Sequence, residues 1–157
     1  MTRVSLPQAG GCVCGAVRYS LTAAPLLAYA CHCHDCQTRS GSAFALTLVI
    51  RISDLVLSGP VEVRRYSTPA GRELDHTFCS QCRVRLLVKA VAAPDYGSLR
   101  AGTLDDAGWV VPVAQTWVES AIPWAVIPSV RVVAPEGLDY FDLARVWRDT
   151  GPVFEAG

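Results

Sequence analysis

No apolar run in this sequence approaches the roughly 20 residues that would cross a bilayer, so no membrane partner is expected. The stretch Met1 to Gln8 lacks an apolar core of signal-peptide length, which makes the cytoplasm the default compartment. An excess of charge is missing as well. The chain carries 14 basic and 14 acidic side chains, a balance without the clustered positive field that nucleic acid or an anionic membrane requires. Internal repeats and low-complexity linkers are absent, and 157 residues are too few for two ordinary domains. One domain over 1–157 is therefore expected. A hydrophobic content of 51% excludes a disordered chain.

What the sequence does have is cysteine. There are seven: Cys12, Cys14, Cys31, Cys33, Cys36, Cys79 and Cys82. An odd number rules out a complete set of internal disulfides, and a chain without an export signal meets a reducing cytosol. The thiols come as CxC, CxCxxC and CxxC, a clustering that metal ligation explains better than isolated catalytic thiols. Structural zinc takes four tetrahedral ligands, usually two short-spaced pairs brought together by the fold. Cys12/Cys14 and Cys79/Cys82 form such a pair of pairs, and joining them would close a loop of more than 60 residues. That leaves Cys31, Cys33 and Cys36, and three thiolates with one exchangeable position is the pattern of a catalytic zinc. On counting alone Cys31/Cys33 could instead join Cys79/Cys82. A disulfide between two of the thiols at 31, 33 and 36 also competes with metal there.

Between these groups the pattern is one of short strands. Val17, Tyr19 and Leu21 alternate with Arg18 and Ser20, the period of a half-buried strand. Leu26–Ala30 reads as a strand running into a CxCxxC turn, and Ser40-Gly41-Ser42 is turn chemistry. Further strands are expected at 43–50, 61–66, 74–78, 84–88 and 99–103, with a single helical turn at 53–55. The stretch 109–128, with Trp109, Trp117 and Trp124, fits short strands and irregular pieces, with Trp117 and Trp124 read as core. The tail differs. Asp139 is a cap for Tyr140, Leu143, Ala144 and Trp147 at helical spacing, which predicts a helix over about 138–149, packed on the sheet or on a second subunit of a homodimer. The fold class expected is mainly β with this C-terminal helix.

Three stretches carry a resemblance. They are Gly11-Cys-Val-Cys-Gly-Ala-Val-Arg-Tyr19, Cys31-His-Cys-His-Asp-Cys36 followed by Gln-Thr-Arg-Ser-Gly41, and Phe78-Cys-Ser-Gln-Cys82. In that order they resemble the glutathione-dependent formaldehyde-activating enzyme family, also known for its centromere protein V member. Ala101–Asp106 and Pro123-Trp124 are similar to its later signature, so the likeness runs over about 8–127. The resemblance implies a β-tent of small antiparallel sheets stapled by zinc. It also implies two zincs per chain: a structural one on Cys12, Cys14, Cys79 and Cys82, and an active-site one on Cys31, Cys33 and Cys36. The implied reaction is that of a carbon–sulfur lyase, joining glutathione as co-substrate to formaldehyde as S-hydroxymethylglutathione. One departure stands out. The family has glycine after the last cysteine, where this chain has Arg83, and a side chain held at positive φ costs roughly 1 kcal/mol.

The remaining candidates have plainer roles. His32, between two ligand cysteines, is read as packing or support for them, whereas His34 is the histidine placed to reach the ion or a substrate. His76 is expected to be solvated, and Asp35 is expected to form a turn. Arg39, at the rim of the CxCxxC turn, is a candidate for holding a substrate carboxylate or for balancing thiolate charge. The functional expectation is a zinc-dependent enzyme acting on a small-molecule thiol–aldehyde adduct, with Cys31, Cys33 and Cys36 catalytic. The alternatives are a non-catalytic zinc module that binds a protein, or the same chemistry on a different small substrate.

Overall fold

The computed structural model describes residues 2–134 and 139–157. In chain order the strands are β1 (Arg3–Leu6), β2 (Gln8–Gly11), β3 (Arg18–Leu21) and β4 (Leu27–Cys31). Helix α1 (His34–Ser40) follows, then β5 (Ala45–Arg51), β6 (Leu55–Ser58), β7 (Val61–Ser67), β8 (Glu73–Cys79), β9 (Arg85–Ala90) and β10 (Tyr96–Arg100). The last elements are β11 (Ala114–Thr116), β12 (Arg131–Val132), α2 (Tyr140–Thr150) and β13 (Val153–Ala156). The fold is mainly β with a C-terminal helix, as expected. No helix among the described residues is long and apolar enough to cross a membrane.

Three sheets make the framework. The largest runs β12-β11-β4-β5-β10-β9-β8-β7, a smaller one β2-β3-β6, and β1 pairs with β13. Most pairings are antiparallel, but β1/β13, β4/β11 and β11/β12 are parallel. These strands are joined by long excursions rather than hairpins, and a long return lets a strand enter beside its partner in either direction.

Alternation in β3 turns Val17, Tyr19 and Leu21 into the core, all at most 4% exposed. Leu48 and Ile50 of β5, Leu86 of β9 and Leu99 of β10 meet them there. Each such side chain contributes on the order of 2 kcal/mol by leaving water. Gly10 is required by this packing, since a Cβ there would sit 2.3 Å from the Tyr19 ring and 2.4 Å from the Thr103 carbonyl oxygen. Tyr19 and Thr103 share a hydrogen bond of 2.9 Å between their hydroxyls, tying the small sheet to the segment after β10.

The tail folds as its pattern predicts. The Asp139 carboxylate accepts from the Phe141 and Asp142 backbone N–H groups, which caps α2. The expected start at 138 lies outside the described residues. Leu143 and Trp147 are buried against the core, and Tyr140 meets the edge of Tyr29 on β4.

Several expectations are corrected. CxCxxC is not a simple turn, because α1 begins at His34 and ends at Gly41, whose left-handed φ of 62° closes the helix. Seven residues are too few for a helical period to show. The strand expected at 99–103 ends at Arg100 and turns into a 3₁₀ segment, Ala101–Thr103. Trp109 is buried, but Trp117 and Trp124 are 42% and 80% exposed and are not core residues. Their segment runs irregularly over the surface, so only one of the three rings finds the interior.

Candidate metal and thiol site

Two groups of thiols form, far apart in sequence within the first and close within the second. The first is built from two hairpin turns. Cys12 and Cys14 lie between β2 and β3, where the Val17 N–H donates to Cys12 Sγ at 3.2 Å. Cys79 ends β8 and Cys82 stands in the turn before β9. The Cys79 N–H donates to the Val84 carbonyl and the Arg83 N–H to the Cys79 carbonyl, each at 3.0 Å. Hydrogen bonds within each turn thus set the direction of the sulfurs, and sheet packing brings the turns together. Cys12 and Cys14 Sγ are 3.4 Å apart, Cys14 and Cys79 Sγ 3.8 Å.

The second group sits where β4 passes into α1. Cys31 is the last residue of β4, and Cys33 caps α1, its Sγ accepting from the Cys36 N–H at 3.4 Å. Cys31 and Cys33 Sγ lie 3.5 Å apart. The Gln37 side-chain amide fixes the helix, donating to the carbonyls of His32 at 2.6 Å and Ser120 at 2.8 Å.

Both groups fit a zinc ion by their donor chemistry and spacing. In each, all sulfurs lie within 4.8 Å of one another. Tetrahedral zinc with Zn–S of about 2.3 Å needs sulfurs about 3.8 Å apart. The division is four and three, and the alternative of Cys31/Cys33 with Cys79/Cys82 does not form. All seven cysteines are free thiols.

Crowded thiols share charge unequally. In the second group, hydrogen bonds from Cys31 and Cys36 hold the Cys33 thiol far below its ordinary pKa, helped by the Cys36 and Asp35 N–H groups. Cys31 is pushed up by those same neighbours and by burial. In the first group, burial raises Cys12, but the Val17 N–H and the three other thiols lower it further, to about 6. Cys14 is pushed up to about 12. Cys82 is lowered as well, first by a backbone hydrogen bond from Val84, so each group holds some thiols readier to ionise than others, and a cation would release the remaining protons.

The histidines separate. His32 is fully buried, its ring 5.2 Å from that of Phe44, and burial lowers its pKa. It belongs to the packing under the turn. His34 is exposed at the start of α1 and is not among the clustered ligands. Asp35 is exposed in the first helical turn rather than in a loop.

His76 corrects an expectation, being 4% exposed instead of solvated. It lies on β8 between Tyr66, at 4.7 Å, and Phe78, at 6.2 Å, where strand pairing folds the aromatic rings over it. Burial, with Arg85, Arg39 and Arg100 against Asp75, lowers its pKa to about 4. Unfolded histidine titrates near 6.5, so between about pH 6.5 and 4 only the unfolded chain takes up this proton and stability falls. Replacing His76 with Phe is expected to make the protein less acid-sensitive. The stability difference between the two proteins should shift by about 2 kcal/mol between pH 7 and pH 5 in urea titrations. A constant difference across that range would show that His76 does not carry the acid sensitivity.

Arg83 keeps the conformation that glycine favours, with φ of 64°, and its guanidinium pairs with Glu62. Arg83→Gly should relieve roughly 1 kcal/mol of backbone strain and forfeit an exposed ion pair worth less. A rise of a few degrees in Tm is expected, whereas Arg83→Ala, which keeps the strain and loses the pair, should lower it. A fall in Tm for Arg83→Gly would mean that the pair outweighs the strain.

Beside the three-cysteine group opens a cleft of about 450 Å³, with Arg39, Phe44, Phe78, Arg83, Arg85 and Arg100 in its lining. Arg39 stacks on Tyr66 with its guanidinium carbon 4.3 Å from the ring centre. Arg100 donates to Thr47 Oγ1 at 3.1 Å. Burial and the neighbouring Arg100 lower the Arg85 pKa to about 10. The pairing of β4 with β5 sets Cys31 opposite Ala45, which also lines the cleft, and so places this face beside the cysteines. Of these arginines, Arg39 and Arg83 stood out in the sequence. Arg85 and Arg100 belong to β9 and β10, and nothing in the linear pattern marks them as neighbours of Cys36. A second cleft of about 360 Å³ lies between Arg51–Ser53 and Pro94–Tyr96.

Comparison with known proteins adds the following. The model of a family described as glutathione-dependent formaldehyde-activating enzyme matches residues 7–120. The chain is also similar to a Rhodobacter sphaeroides protein of known crystal structure. The two are 23% identical, with 62% of this chain and 87% of that one covered and a TM-score of 0.49.

Proposed function

The chain belongs to the glutathione-dependent formaldehyde-activating enzyme family, and on that premise we propose a zinc-dependent enzyme of carbon–sulfur lyase type acting on a thiol–aldehyde adduct. The observation that carries this reading is the second cysteine group, three sulfurs rather than four, opening beside a cleft. Cys31, Cys33 and Cys36 would hold the catalytic zinc, with Cys12, Cys14, Cys79 and Cys82 holding a structural one. A zinc bound by three thiolates with one open position favours the thiolate form of a bound thiol and polarises an aldehyde oxygen.

The chain's own residues supply the rest. The guanidiniums of Arg39 and Arg100 bind and orient a carboxylate of the thiol, Arg100 being steadied by Thr47. Phe44 and Phe78 cover part of the cleft with apolar surface, which keeps water from the adduct. Gln37 holds α1, and with it Cys36, against the turn that contains Ser120. Holding thiol and aldehyde in one pocket removes much of the entropic barrier to their union.

The test is formaldehyde–glutathione exchange, followed by NMR, with protein carrying two zincs per chain. Acceleration of exchange supports the reading. With both zincs bound, no acceleration for glutathione but turnover of another thiol would keep the chemistry and replace the substrate. Inactivity with every thiol would leave a zinc module without catalysis.

A further inference from the structure

We propose that the cleft beside Cys31, Cys33 and Cys36 selects a small thiol that bears two anionic groups, carboxylate or phosphate, and no ammonium group. This rests on the thiol chemistry proposed above and narrows its substrate.

The argument is one of charge. Four guanidiniums line the cleft, and Arg83 is paired with Glu62. Arg39, Arg85 and Arg100 have no carboxylate partner among the described residues. A zinc held by three thiolates has a net charge of minus one. Three unpaired guanidiniums beside it leave a local excess of two positive charges; a thiolate on the metal offsets one, and the guanidiniums remain as donors for two carboxylate or phosphate groups of the same ligand. Holding like charges this close is unfavourable without an anion between them. For Arg85, burial first and then the Arg100 charge disfavour the protonated form. The Arg100 Nε is buried without a hydrogen-bond partner, a donor that a ligand oxygen could satisfy.

The same lining argues against an ammonium group. Among the described residues it includes no Asp or Glu. Glu62 is engaged with Arg64 and Arg83 and Asp75 with Arg65, and Asp35, at the start of α1, is outside the lining. Glutathione carries two carboxylates and one ammonium, and its ammonium would enter a positive field with no counter-charge, which costs affinity. A mercaptodicarboxylate has the two anions without that penalty.

The experiment is calorimetric titration of the zinc-loaded full chain with mercaptosuccinate, glutathione, cysteamine and succinate. Mercaptosuccinate is expected to bind at least about tenfold more tightly than glutathione, and cysteamine least well. Arg39→Gln and Arg85→Gln should each weaken mercaptosuccinate by about tenfold. Should Arg85→Gln not fold, judged by zinc content and circular dichroism, the exposed Arg39→Gln and the ligand series in the unmodified protein decide. Equal or tighter binding of glutathione, or binding of mercaptosuccinate unchanged in Arg39→Gln, overturns the proposal. The thiol chemistry on which it rests is read separately in cobalt-loaded protein, where a bound thiol alters the absorption bands. Cysteamine, glutathione and mercaptosuccinate altering them with equal affinity keeps the thiol reading and overturns the selection of dianions. Arginine-dependent succinate binding, with no thiol altering the spectrum, supports the anion cleft and overturns the thiol chemistry.

Discussion

Stripping the metal from Cys12, Cys14, Cys79 and Cys82 is expected to unfold the protein at 25 °C. A structural zinc contributes on the order of 10 kcal/mol of apparent folding free energy. A domain of this size has a net stability of roughly 5–15 kcal/mol, so little or nothing is left without the ion. The four sulfurs join the hairpin turn of the three-stranded sheet to the β8–β9 turn of the eight-stranded one. Cys79 is fully buried and Cys12 nearly so. Without a cation, four thiols remain pressed together, with Cys12 and Cys82 the readier to ionise and the proton held on Cys14. Chelation monitored by near-ultraviolet circular dichroism should show a cooperative loss of signal that zinc restores. Cys79→Ala should reproduce it, without restoration by zinc. A Tm that falls by only a few degrees on chelation would mean that the hydrophobic core suffices alone.

Cys36→Ala is expected to do the opposite: to abolish activity and leave the fold. Removing one of three ligands should take bound zinc from two per chain to one. With the metal lost, turnover should fall by about a thousandfold, the equivalent of roughly 4 kcal/mol of transition-state stabilisation. The structural consequence is small because Cys36 lies on α1 away from the main core, and the cap of the helix is the Cys33 sulfur. Thermal melting should change by a few degrees at most. Full zinc content and undiminished turnover in this variant would remove the three-cysteine group from the chemistry. Cys33→Ala is the less clean choice, because it also removes a helix cap worth about 1 kcal/mol.

Much of the site could be read from the sequence because its information is local. Ligand pairs separated by one or two residues must share a turn, so CxC, CxCxxC and CxxC announced themselves. The α2 helix was equally legible, since its cap and apolar spacing lie within one short segment. The alternation of β3 predicted its buried face for the same reason.

Other features depended on which strands become neighbours. His76 reads as a polar residue in an alternating strand, yet pairing of β7 with β8 brings Tyr66 over its ring. Trp117 and Trp124 look like core by composition, but their segment passes over the surface. The exposed end of α1 places Arg39 over Tyr66, a contact between residues far apart in the chain.

The sequence by itself determined that seven thiols would fall into short-spaced groups, because ligand spacing is a property of the local backbone. It also determined a mainly β chain closed by one capped helix, because burial patterns have a fixed period. Only the tertiary structure decided that four of the thiols meet across two sheets and that the other three gather beside a cleft. It alone gathered Arg39, Arg83, Arg85 and Arg100 around that cleft. Charges carried by different elements act on one another through space, and the distances between them exist only once the sheets have formed.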